Sequence, residues 1–291
     1  MLPSASAFHL DHERRPNAAA FMGLGFLPKR RWTSPFSIPD VTVSWKGMRP
    51  GDELARALGP LSVPPGRGFV HPVHLHAITL RLMMRLLTHP GFPIPIWRLM
   101  QVRSRFVQHR PARLDDRLDV SARIAAWRFV ARGVEIDLAV ETRSPEGPVL
   151  ESTTAFYSRG RFGTPVVAEP VPVPPEPPLD GAPFSPVPAA GAWAYGRLTG
   201  DYNPLHWWSR QSRAMGFQGP FAHPHRVLGP VLDALPGIDP SGPLQVDAWF
   251  RGPVYYDRPL ALSTRREAAA ASFALRVEGD PRPAIAGVVR C

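Results

Sequence analysis

Cysteine is nearly absent from this sequence: of 291 residues only Cys291, the last, carries a thiol. An intrachain disulfide and a cysteine-ligated metal site are both excluded. Lysine is almost as scarce, with Lys29 and Lys46 the only two among 34 Lys and Arg residues. No apolar run comes near the roughly 20 residues of a membrane-spanning helix before an Arg, His or Pro breaks it. The opening MLPSASAFHLDHERRPNAAA lacks the apolar stretch of a secretory leader and reads as a loose, partly disordered N-terminal arm. A cytoplasmic location without membrane association is the resulting expectation.

What the sequence has in excess is positive charge and proline. Its formal charge of +10 suits an anionic partner: nucleic acid, a phosphorylated cofactor or an acidic carrier protein. The arginines are spread along strand-like segments, neither grouped on a basic helix nor interleaved with stacking aromatics, which argues against nucleic acid. A coding bias toward Arg, Ala and Pro accounts for the same excess. Proline marks the organisation. Residues 164–187 are too dense in it for a helix or a central strand and read as an extended linker. The predicted division is an arm over 1–35, a module over 36–163, the linker, and a module over 188–291.

Each module shows one helix followed by several alternating strands. The helices are expected at 71–87 and 223–235, each opened by a His-Pro dipeptide, His71-Pro72 and His223-Pro224. Gln101, Val102 and Phe106 match Gln245, Val246 and Phe250, and each set is followed by a Pro, an Asp and a strand beginning at Leu. A repeat of this kind predicts an α+β fold of two similar modules.

The densest chemistry lies in TGDYNPLH, residues 199–206. A helix over 188–200 should stop at Gly200. Asp201 then sits at a chain reversal, Asn203-Pro204 fixes a turn, and His206 opens the next segment. Folded back, Asp201 and His206 can meet in one volume, as an acid and a base must. The same residues also suit a plain capped turn.

Residues 195–225, YGRLTGDYNPLHWWSRQSRAMGFQGPFAHPH, resemble the signature of the MaoC-like hydratases and dehydratases of acyl thioesters. The matching positions are Tyr195, Thr199-Gly200-Asp201, Asn203-Pro204, His206, Ala214, Gly216-Phe217, Pro220 and Ala222-His223. The segment 251–263 is similar to the family's strand after the central helix. Residues 89–106 resemble the catalytically silent first module of two-module members. The resemblance implies a double hotdog, two long helices each wrapped by a curved antiparallel sheet, with one active site per chain. It further implies no cofactor, a substrate carried on coenzyme A or acyl carrier protein, and a monomer or homodimer. The implied reaction interconverts trans-2-enoyl and (R)-3-hydroxyacyl thioesters. Asp201 would be the principal base toward water, His206 would share that water, and Asn203, Gly200 and Tyr195 would support the turn.

Two departures stand out. The family carries Gly after the helix-opening His, with its N–H on the thioester oxygen; Pro224 has none, which leaves the amide of His225 as the substitute. The His225 side chain belongs either to the site or to the surface. Trp207-Trp208 replaces a more polar stretch and forms either an acyl-pocket wall or ordinary packing. These departures keep a second reading open, a hotdog protein that binds acyl thioesters without turnover or has been diverted to another addition or elimination. His71, His74, His76 and His89 do not share one helical face and have no nearby carboxylate, so no metal site is expected.

Overall fold

The run after His71-Pro72 has so many apolar residues that it can be stable only when surrounded. In the computed structural model, which describes residues 8–25, 36–58, 68–164 and 180–291, it forms helix α3 (Pro72–Leu87), where only His74 and Arg85 escape burial. A helix buried on all sides is a core helix. Its partner in the second module is α6 (Pro224–Asp233), against which it packs. Proline at the first helical position of each presets the backbone for the helix start and gives up an N–H that would have no helical partner.

The first module contributes strands β2 (Val41–Met48), β4 (Met100–Gln108), β6 (Leu118–Val130), β7 (Gly133–Ser144) and β8 (Gly147–Arg159). The second contributes β9 (Ala182–Phe184), β10 (Leu244–Phe250), β11 (Leu260–Glu267), β12 (Ala270–Val277) and β13 (Ile285–Arg290). With β1 (Phe8–His12) they make one sheet of 11 strands in the order β1-β2-β6-β7-β8-β4-β10-β13-β12-β11-β9. The order from β2 to β4 is mirrored from β9 to β10. The seam is the antiparallel pair β4 and β10, with Phe106 opposite Val246. These are the two strands whose Gln-Val and Phe match in sequence, and the repeated Val of one faces the repeated Phe of the other, as a local two-fold axis requires. The chain is a double hotdog with its two sheets continuous.

Short helices complete each half: α2 (Pro50–Leu58) in the first, α4 (Ala192–Thr199) and α5 (Ser209–Ala214) in the second. A short ladder of β3 (Phe69–Val70) and β5 (Ala112–Arg113) precedes α3 in the chain at β3 and touches α2 through β5. Helices α2 and α4 pack against each other, and α4 also touches α3.

Two expected boundaries move. Residues 8–25 are part of the first module rather than a loose arm: β1 pairs in parallel with β2, and α1 (Ala18–Gly25) buries Ala18, Phe21 and Met22. The apolar AAAFM run supplies the face that docks. Residues 165–179 of the predicted linker lie outside the described residues, but 182–184 already form β9. Pro183 is accommodated there because the strand is at the sheet edge, where a missing N–H breaks no ladder. Among the described residues no helix is long and apolar enough to cross a membrane.

Candidate active site

The turn between α4 and α6 is held by side chains two residues apart. Thr199 Oγ1 accepts from the amide of Asp201 at 3.1 Å, Asp201 Oδ1 from that of Asn203 at 3.0 Å, and Asn203 Oδ1 from that of Leu205 at 3.2 Å. Short polar side chains that bond the backbone two residues on stabilise turns in this way. Here three follow in succession. Gly200 ends α4 in the left-handed region with φ 73°. A Cβ there would stand 2.9 Å from that of Ala18 and 3.3 Å from the Cα of Arg81, so glycine is required by both conformation and space. Asn203 caps a 3₁₀ turn (Pro204–His206) that delivers His206.

These bonds leave Asp201 Oδ2 toward His206, whose Nε2 lies 3.6 Å away. His206 Nδ1 bonds the carbonyl of Phe221 at 2.8 Å. A carbonyl only accepts, so Nδ1 carries a proton, and in the neutral ring Nε2 keeps its lone pair. His223 stacks on His206 with ring centroids 3.6 Å apart, and its Nε2 donates to the backbone oxygen of Asp201 at 3.3 Å. Burial works to raise the pKa of Asp201, but protonated His206, through its hydrogen bond and charge, then His223 and the Asn203 amide, outweigh it and hold the carboxyl at about 2. Burial, with the charge of His206, pushes His223 down to about 3. At neutral pH the site therefore holds one carboxylate and a neutral His223.

The pair opens onto a cavity of about 290 Å³. Asp201, Asn203, His206, His223, Pro224 and His225 line one side. Leu80 and Met84 of α3, the segment 99–102 and Phe156 of β8 line another, so the first module builds much of the wall. Their only sequence signal was the i, i+4 spacing of Leu80 and Met84 on one face of a core helix.

The remaining expected residues fall in different places. His225 is buried, not at the surface: its Nε2 lies 3.1 Å from Ser104 Oγ and 3.3 Å from Gln101 Nε2, and its ring packs 4.4 Å from that of His76. Tyr195 is buried behind His223, ring to ring at 5.5 Å, and desolvation raises its pKa. Trp207 and Trp208 do not line the cavity. Trp207 packs on Trp193 at 5.0 Å, and Trp208 is 51 % exposed, because the 3₁₀ turn points His206 inward and its two neighbours away. His71 and His74 stack edge to face while His76 faces Ser104 and Thr154, so these histidines do not converge.

Asp201, His206 and His223 bring three potential metal-ligand atoms within 4.8 Å of one another. Their geometry suits proton transfer better. His223 Nε2 spends its hydrogen on the Asp201 carbonyl, and in that tautomer it has no lone pair to offer a metal.

No protein-family model and no curated protein sequence matches the chain. Solved structures do. HtdX of Mycobacterium tuberculosis aligns with a TM-score of 0.69 at 20 % identity, over 86 % of this chain and 99 % of its own. A MaoC-like dehydratase from Phytophthora capsici aligns with a TM-score of 0.68 at 15 % identity, over 86 % of this chain and 94 % of its own. The fold is that of the MaoC-like dehydratases. An acyl-ACP thioesterase from Bacteroides thetaiotaomicron also aligns, with a TM-score of 0.54 at 10 % identity over 86 % of this chain and 96 % of its own. The MaoC-like fold thus does not select the reaction, and the residues of the turn must.

Proposed function

We propose that this chain is a MaoC-like hydro-lyase that interconverts trans-2-enoyl and (R)-3-hydroxyacyl thioesters of coenzyme A or acyl carrier protein. The observation that carries the reading is the facing of Asp201 Oδ2 and His206 Nε2 at 3.6 Å on the wall of a cavity, two lone-pair acceptors when the ring is neutral. Two acceptors do not bond each other; they share a donor, and a water supplies two hydrogens. Such a water has its own lone pairs free for an electrophilic carbon.

In hydration, the water oxygen bonds to C3 as the C2–C3 π electrons move toward the thioester oxygen and a water proton passes to His206 Nε2. The resulting enolate then takes that proton at C2. Dehydration is the reverse. The sequence suggests Asp201 as principal base; the Nδ1–H bond to the Phe221 carbonyl turns the Nε2 of a neutral His206 toward Asp201, so the transfer is assigned here to His206. Asp201 orients the water and offsets the charge that develops on the imidazole. The amide of His225, at the second position of α6, has no helical carbonyl to bond and is the donor assigned to the enolate oxygen in place of the one Pro224 lacks.

Asp201→Asn and His206→Gln are each expected to lower kcat on crotonyl-CoA or a longer enoyl-CoA by roughly 10²- to 10⁴-fold, followed by loss of the conjugated thioester's absorbance. Release of free thiol in place of hydration would mark a thioesterase. Saturable binding of the thioester with no product would support a protein that binds without turnover, the reading that Pro224 favours.

A further inference from the structure

The reaction as drawn assigns no task to Arg81, a completely buried cation of α3 and one of the largest buried side chains among the described residues. We propose that Arg81, from the central helix of the first module, is a positioning residue for the second module's reaction: it holds the C-terminal end of α4 so that the turn presents Asp201 to His206. The inference rests on reading that turn as the catalytic one.

The guanidinium donates to the carbonyls of Arg197, Leu198 and Pro16, the last two at 3.3 Å. Arg197 and Leu198 belong to the last turn of α4, whose carbonyls have no partner within the helix and carry the negative end of its dipole. Only Thr199 and Gly200 separate the clamped carbonyls from Asp201. The same arginine crowds Gly200 with its Cα, so it touches the turn at both backbone and side chain.

Packing alone does not call for a cation here. A methionine of similar reach would fill the slot without a charge to desolvate, whereas Arg81 keeps its Nε without a hydrogen-bond partner. Three aimed hydrogen bonds are what a methionine cannot supply. Nearby ties reinforce the clamp: Arg15 donates to the carbonyl of Arg197 at 3.1 Å and pairs with Glu53 at 2.6 Å, and Arg197 reaches the carbonyl of Ala57 in α2 at 2.9 Å.

The test compares full-length wild type with Arg81→Met and Arg81→Lys. Circular dichroism and Tm establish folding; kcat, KM and the pH profile on an enoyl thioester read the site; and ring ¹⁵N resonances of His206, assigned through His206→Gln, read the turn directly. In folded Arg81→Met, kcat is expected to fall about 10²-fold with KM little changed, the size of effect that follows a misplacement of about 1 Å. The acid limb should shift, because the turn no longer holds Asp201 against His206. The Nδ1–H tautomer of His206 should lose its fixed signature. Arg81→Lys keeps the charge but not the fork, and should recover part of each.

A folded Arg81→Met with the kcat, acid limb and His206 resonances of wild type overturns the proposal. If that variant does not fold, Arg81→Lys decides by the same readouts. Wild type inert toward every thioester would defeat the catalytic reading, and the His206 resonances would still show whether Arg81 sets the turn.

Discussion

The two modules begin their central helices with the same dipeptide and the same backbone, yet the two histidines do different things. His71 caps α3 at φ −56°, ψ 133°, and His223 caps α6 at φ −58°, ψ 135°. The ring of His71 turns back on its own helix, where Nδ1 accepts from the amide of Val73 at 3.3 Å, and its Nε2 lies 3.7 Å from Asp233 of the other helix. The ring of His223 makes no cap bond and instead stacks on His206 beside Asp201. What differs is the chain before it. Between α2 and His71 run residues 59–70, with no Asp, Asn or His among them; between α4 and His223 run 200–222, carrying Asp201, Asn203 and His206. The repeated fold supplies a helix start at each site, and the longer turn adds the carboxylate and imidazole of the candidate site to one of them.

The largest expected effect that sharpens this contrast is at His223. Its ring supports His206 from one face and the Asp201 carbonyl from the edge, so His223→Ala should lower kcat by about 10²-fold, at the lower end for a group in direct acid-base service, and Tm should fall with the buried ring and its hydrogen bond. An equal fall in kcat on His71→Ala would break the comparison.

A middle-sized effect concerns pH. Burial pushes His76, in the first module, and His223, in the second, each to about 3 from an ordinary 6.5. Both are therefore neutral in the folded chain and protonated in the unfolded chain between those values. Since the unfolded state binds more protons there, stability is fully present above pH 6.5 and is lost as pH falls toward 3. Between pH 6.5 and 5 each contributes a loss of about 2 kcal/mol, from about 1.4 kcal/mol per pH unit. Tm measured from pH 8 to 5 should fall, and His76→Gln should flatten part of the fall while leaving that of His223. A Tm independent of pH in this range would show that neither ring is desolvated as packed.

Much of this was legible in the sequence because it is local. The Thr199, Asp201, Asn203 spacing of two is a set of backbone-bonding turns whatever the surroundings, and the His-Pro dipeptides announce helix starts. The matched Gln-Val and Phe of β4 and β10 revealed a repeat, though not that these strands form the seam. What escaped is long-range. Leu80 and Met84 read as core residues and become cavity wall only because α3 lies against the second module. Arg81 read as one more arginine, since nothing near it in sequence says that it meets carbonyls more than a hundred residues away. Trp207 and Trp208 stayed open between pocket wall and packing for the same reason: adjacency to His206 in sequence does not fix which way a 3₁₀ turn points its neighbours.

The smallest effect isolates what the first module's histidine does. His71→Ala removes an acceptor for the amide of Val73 and a 3.7 Å pairing of the neutral ring's Nε2–H with Asp233, whose carboxylate is 41 % accessible. The cap is worth about 1 kcal/mol, and the pair adds little because solvent screens it. His71→Asn offers a side-chain oxygen to the same amide and should restore most of the loss, while kcat on the enoyl thioester stays at wild type for both. If the first-module histidine is only a cap, any good cap replaces it; at His223 the same exchange should fail, because an amide neither stacks on His206 as an imidazole does nor keeps a donor on the Asp201 carbonyl.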